Sequence, residues 1–139
     1  MSKTAPKFSA EERAAMKERA RELKAASDQA ESEKDVLAKI AEMNAADRAL
    51  AERVHAIAKA IPGELAPRTY YGMPAYAKDG KVVFWFKSAA KFGTRYATIG
   101  FSDRANLDEG EIWPTEYGVT RLAGAGEVRI RALIEKAVS

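Results

Sequence analysis

Hydrophobic positions change their period twice along this chain, and the changes divide it into a helical first part, a central run of strands and a closing helix. Residues 10–26 predict a helix opened by the capping pair Ser9 and Glu12, but its apolar set is only Met16, Ala20 and Leu23. That stripe is narrow, so the helix is expected to dock weakly or to stay peripheral. Residues 27–34, SDQAESEK, are polar and without periodicity and read as a linker. Val36, Leu37, Ile40 and Met43 then recur at helical spacing, and Asn44 interrupts and recaps the chain, with Asp47 three residues on. Leu50, Val54, Ile57, Ala58 and Ile61 form an apolar face wide enough to lie on a sheet, until Pro62-Gly63 ends the helix.

The period then shortens to two. Strands are predicted at 68–71, 75–78, 82–87 and 96–101, with a weaker one at 117–122. Asp79-Gly80 between two of them is a strong hairpin signal, because a type I′ turn requires positive φ at both central residues. Pro74 cannot donate to a ladder and is expected at a strand start, a bulge or an edge, with a kink at Gly72. Strict alternation in the run Val83-Phe84-Trp85-Phe86 would put Phe84 and Phe86 on one face and Val83 and Trp85 on the other. Ser102-Asp103 can cap a single turn through Leu107, and Trp113-Pro114 is expected to anchor the loop that follows. A last helix over about 127–138 carries Ile130, Leu133, Ile134 and Ala137 on one side, with a poor start after Gly124 and Gly126.

Helices before and after a run of strands, without regular alternation, predict an α+β fold: a single antiparallel sheet of about five strands flanked by N-terminal and C-terminal helices. Residues 1–34 are read as a helical extension and linker, and residues 35–139 as the domain.

Composition narrows the chemistry. The chain has 139 residues and no cysteine, which excludes disulfides, thiolate metal sites and cysteine nucleophiles. No stretch is apolar for long enough to suggest a signal peptide or a membrane span, so a cytoplasmic setting is expected. His55 is the only histidine and falls beside the apolar face of its helix, where it reads as a partly exposed structural residue. No GxSxG, P-loop, GxGxxG or HExxH pattern is present, so no enzymatic activity is expected.

Charge is unevenly placed. Residues 67–100 carry six Lys and Arg against one Asp, although the whole chain is only +3. Arg68, Lys78, Lys81, Lys87, Lys91 and Arg95 are interleaved there with Tyr70, Tyr71, Tyr76, Phe92 and Tyr96. Aromatics can wall a planar ligand while cations hold its carboxylate or phosphate, so a binding site is expected around the kink: Tyr71, Met73 and Tyr76 as walls, Lys78, Lys87 and Arg95 as anion contacts. The partner would be a small anionic or planar molecule or a protein, and the chain a monomer or weak dimer. Single-stranded nucleic acid is the lesser reading, because a pI near 9.1 from so small a net charge does not by itself argue for it.

Tyr71-Gly72-Met73-Pro74-Ala75-Tyr76, the Asp79-Gly80 hairpin, Phe84 to Phe86, Lys91-Phe92 before Arg95-Tyr96, and Trp113-Pro114 occur in an order that resembles the YdhG-like domain of unknown function. Leu50-Ala51-Glu52-Arg53 and the amphipathic last helix extend the likeness over roughly residues 35 to 138. The resemblance implies a small sheet flanked by helices, related in shape to frataxin-like domains and sometimes labelled an iron chaperone. On that alternative reading iron would be held by Asp103, Asp108, Glu109 and Glu111, whose hard oxygens suit such a cation. Their spacing matches no defined metal loop.

Overall fold

The computed structural model describes residues 8–25, 28–63 and 65–139. Three helices come first: α1 (Ala10–Ala25), α2 (Gln29–Ala41) and α3 (Ala45–Ala60). Strands β1 (Ala66–Tyr70), β2 (Met73–Lys78) and β3 (Lys81–Lys87) follow, then the short α4 (Ala89–Phe92), β4 (Ala97–Phe101), β5 (Glu116–Val119) and α5 (Ala125–Ala137). The strands form one antiparallel sheet in the order β1-β2-β3-β4-β5, so each pairs only with its neighbours in sequence. The fold is α+β. Among the described residues no helix is long and apolar enough to cross a membrane.

Two tight turns set the sheet's register. Asp79 (φ 51°) and Gly80 (φ 77°) join β2 to β3, as the Asp-Gly pair predicts. Tyr71 (φ 50°) and Gly72 (φ 77°) join β1 to β2 in the same way, with Tyr70 paired to Met73. The expected kink at Gly72 is thus a second hairpin turn, and the first strand ends at Tyr70. Pro74 is the second residue of β2, opposite Thr69.

Register also decides which face each side chain takes. Tyr76 pairs with Phe84 but Ala77 pairs with Val82, so β3 holds one extra residue at this point. This bulge frees Val83 from strict alternation: it is buried with Phe84 and Phe86 in the core instead of sharing the opposite face with Trp85. The core side of the sheet presents Tyr76, Phe84, Phe86, Ile99, Phe101 and Val119. Val36 and Ile40 of α2, Val54 and Ile57 of α3, and Ile130 and Ile134 of α5 cover it. Each large apolar side chain removed from water contributes about 1.5–3 kcal/mol before chain entropy is counted.

Residues 29–34 of the linker expected at 27–34 are instead the first half of α2. Asp28 caps it, its side chain accepting from the Glu31 amide. Ser32 is buried and donates to the Pro67 carbonyl at 2.8 Å, which ties α2 to β1. An Asx cap and one buried hydroxyl, rather than an apolar stripe, hold this turn, which is why hydrophobic periodicity missed it. The boundary expected between residues 34 and 35 therefore falls inside α2. Ala26 and Ser27, where the sequence places the end of the first helix and the start of the linker, lie outside the described residues, as do residues 1–7.

Helix α1 docks through charge. Met16 and Leu23 of its apolar stripe are exposed, while Glu22 is buried. The Glu22 carboxylate accepts from the Tyr71 amide at 3.0 Å and the Gly72 amide at 2.7 Å, and Arg19 pairs with it at 3.1 Å. Arg21 reaches Asp35 of α2 at 3.2 Å. Replacing Glu22 by Ala leaves two amides of a tight turn without their acceptor, so a loss of roughly 2 kcal/mol is expected in urea unfolding. Hydrogen exchange at Tyr71 and Gly72 should accelerate in the same variant; unchanged exchange there would show that Glu22 does not hold the turn.

Candidate functional site

The turn that Glu22 holds opens directly into a cavity of about 340 Å³. Gly72, Met73 and Pro74 form one side, Phe86 and Ser88 at the end of β3 the floor, and Ala90, Lys91 and Phe92 of α4 another side. The junction of α2 and α3 closes it with Lys39, Glu42, Met43, Asn44 and Asp47. Met43, Met73, Pro74, Phe86 and Phe92 give it apolar walls. A space of this size suits a small ligand.

Its polar groups fall into two kinds. Asp47 is buried, but its carboxylate accepts from the amides of Ala89 at 3.2 Å and Ala90 at 3.0 Å, where it opens α4. Ser88, at the N-cap of α4, makes no side-chain cap of its own, so Asp47 does that work from another helix. Asn44 accepts from the Asp47 amide and fixes the start of α3. The lysines are less committed. Lys91 Nζ donates to the Gly72 carbonyl at a long 3.4 Å, and Lys39 Nζ stands 3.6 Å from Glu18. A Cβ at position 72 would lie 2.5 Å from Lys91 Nζ, so glycine there lets the ammonium reach over the turn.

The six residues expected to form a binding site are only partly brought together. Met73 lines the cavity, and Lys87 lies over the ring of Phe92, a cavity wall, at 4.9 Å. Tyr71 sits on the outside of the turn, 61% exposed, with the Arg19 guanidinium 4.2 Å from its ring centre. Arg95 stacks on Tyr96. Tyr76 is 0% exposed and part of the core, because the register of β2 points it toward α3. Lys78 is at the far end of β2 and donates to the Val138 carbonyl. Neither can act as wall or anion contact for a ligand at the kink.

Sequence reasoning missed Lys39, Met43, Asn44, Asp47, Phe86 and Ser88. Asn44 and Asp47 are legible as a cap, but nothing in the sequence shows that the capped end abuts the Gly72 turn. The acidic residues Asp103, Asp108, Glu109 and Glu111 are all exposed, and Glu109 reaches toward Lys136 at 3.4 Å. Among the described residues no three His, Asp or Glu side chains converge as a metal ion would require.

His55 has a more specific place than a half-exposed helix residue. Its Nδ1 is 2.9 Å from the Tyr76 hydroxyl and its Nε2 is 3.3 Å from Glu33, which Lys59 also contacts at 3.0 Å. A carboxylate can only accept, so Nε2 carries the proton and Nδ1 accepts from Tyr76. Burial lowers the His55 pKa, partly opposed by Glu33. Burial likewise pushes the Tyr76 phenol up, and the Lys59 hydrogen bond lowers Glu33. The chain Glu33–His55–Tyr76 satisfies the one hydroxyl in the densest part of the core.

Comparison with known proteins finds no matching family model, curated protein or solved structure. The likeness to the YdhG-like domain rests on the sequence motifs alone.

The His55 network makes stability pH-dependent in a definite direction. A folded-state histidine pKa below 6.5 means that the unfolded chain binds the proton first, so stability is lost as pH falls from 6.5 toward the folded pKa. Glu33, lowered from 4.5, adds a second loss only below that value. Denaturant midpoints measured from pH 7.5 to 4 should fall in two stages, and His55→Gln should remove the first stage while keeping the second. A single stage that survives His55→Gln would refute the assignment.

Proposed function

We propose that this chain is a small, non-enzymatic binding module of the YdhG-like type, acting in the cytoplasm, whose cavity takes a small planar anion such as an aromatic carboxylate. The observation that carries this reading is the combination, in one cavity, of apolar walls with two lysine ammonium groups held by only long contacts. Of the two carboxylates in the lining, Asp47 does not oppose an anion as a free carboxylate would, because two backbone amides already engage its charge, and Glu42 is outnumbered by the two lysines. Met73 and Met43 can adapt to a ring's outline, and Phe92 offers a face for it. Lys91 and Lys39 are placed to meet the acidic group. The titratable residues with shifted pKa all lie outside the cavity, Glu33, His55 and Tyr76 in one hydrogen-bonded chain and Arg21 paired with Asp35, which supports binding over catalysis. Iron binding is the weaker alternative, since its carboxylates are scattered.

Thermal-shift and NMR titrations with benzoate, indole carboxylates and their uncharged amides test the reading. A carboxylate at ten times its dissociation constant should add about 1.4 kcal/mol to stability. Amide signals of residues 72–73 and 88–92 should move, the uncharged amides should have little effect, and Lys91→Gln or Phe92→Ala should abolish the response. Absence of any shift at millimolar carboxylate would overturn the proposal. Ferrous ion that instead broadened residues 103–116 would favour the alternative.

A further inference from the structure

The sheet has a second side, opposite the core helices, and strand register places a distinctive set of residues on it. Arg68 pairs with Ala75, Ala75 with Trp85, Trp85 with Gly100, and Gly100 with Glu116, so these five form one row across the sheet. Lys87, Thr98 and Gly118 form part of the next, and Tyr70 and Met73 face each other at its β1 end. The aromatic rings lie flat because glycines make room for them. A Cβ at Gly100 would come within 2.5 Å of the Trp85 indole, and one at Gly118 within 2.9 Å of the Tyr96 ring. Tyr70 continues the pavement, 5.9 Å from Trp85, with Tyr71 edge-on to it at 4.7 Å and the Arg19 guanidinium of α1, a further cation on this side, 5.2 Å from its ring centre.

The charges beside these rings are of one sign and poorly neutralised. Among the described residues Arg68, Lys87 and Arg95 have no carboxylate partner. Arg68 Nε is buried with no hydrogen-bond partner, Lys87 lies over Phe92, and Arg95 over Tyr96. Several cations elsewhere are matched: Arg21 with Asp35, Arg53 with Glu127, Lys59 with Glu33. Glu116, on the last strand, is the one carboxylate that register places on this side. Such a surface pairs flat rings with unmatched cations, the two features that bind a polyanion carrying planar bases.

We infer that this side of the sheet binds single-stranded nucleic acid, with bases on Trp85, Tyr70 and Tyr96 and phosphates at Arg68, Lys87 and Arg95. The modest net charge is no objection, because within residues 67–100 six Lys and Arg face a single Asp. Discrimination between bases is not expected, since no side chain with a paired donor and acceptor rises among the rings; the contacts are stacking and phosphate contacts alone.

The test uses the full chain carrying Trp113→Phe, so that Trp85 is the sole tryptophan and its emission can be excited selectively, titrated with a fifteen-residue oligothymidylate. Binding should quench Trp85. With three phosphates neutralised, affinity should fall about twentyfold between 50 and 200 mM salt. The double variant Lys87→Glu with Arg95→Glu, both on exposed or half-exposed side chains, should weaken binding at least tenfold while leaving the melting temperature unchanged. An abasic oligomer of equal length should bind more weakly. No quenching at 50 mM salt, binding unaffected by the double variant, or equal affinity for the abasic oligomer would each overturn the inference. So would sedimentation showing that this face is already buried between two copies that the double variant separates.

Discussion

A single buried carboxylate holds the turn from which the rest of the site is built. Glu22 accepts from the amides of Tyr71 and Gly72, a pair that must both take positive φ to reverse the chain in two residues. Glycine does this freely, but tyrosine does so at a cost of about 1 kcal/mol or more. Two charge-assisted hydrogen bonds offset that strain. With the turn fixed, Tyr70 and Met73 are paired, β2 starts where it must to bring Met73 and Pro74 to the cavity, and Tyr76 falls into the core under His55.

Asp47 repeats the device on the opposite side of the same cavity. It too is a buried helix carboxylate that accepts from two consecutive backbone amides, here at the start of α4. The cavity is thus framed by two short backbone segments, each pinned by an acid from a helix remote in sequence. Both acids carry their charge into the interior only because they arrive with two amide partners, which meets the desolvation cost that a lone carboxylate could not. The lysines at the rim, Lys39 and Lys91, make only longer contacts, at 3.6 Å and 3.4 Å.

Much of the architecture was legible because it depends on local rules. Asp79-Gly80 announced its turn through backbone sterics alone, and Leu50, Val54, Ile57 and Ile61 announced α3 by spacing. What stayed hidden depends on contacts across the fold. The bulge that turns Val83 inward cannot be seen in a continuous apolar run, and α2 begins with polar residues whose partner, the Pro67 carbonyl, is 35 positions away. Glu22 looked like one more surface acid on a charged helix. The candidate site suffered the same limit: Met73 was found because it adjoins the turn, whereas Lys39, Asn44 and Asp47 belong to it only through the docking of helices on the sheet. Tyr76 was misplaced by one simple ambiguity, since an aromatic residue in a strand can face either way until the register is known.

The strand order carries a kinetic implication. In this meander each strand pairs with its sequence neighbour, β1–β2 and β2–β3 over two-residue turns and the later pairs over the longer segments 88–96 and 102–115, so the sheet can assemble hairpin by hairpin with the least loop-closure entropy lost at its first two turns. The Asp79-Gly80 hairpin, with its dense apolar flanks, is the natural nucleus, and β1 and β4 can add to its two sides independently. The longer searches are left to the helices, above all α1 and α2, whose anchors must find partners formed some 35 to 50 residues later in the chain. Sheet formation should therefore precede helix docking, and the cavity, which needs both, is assembled last.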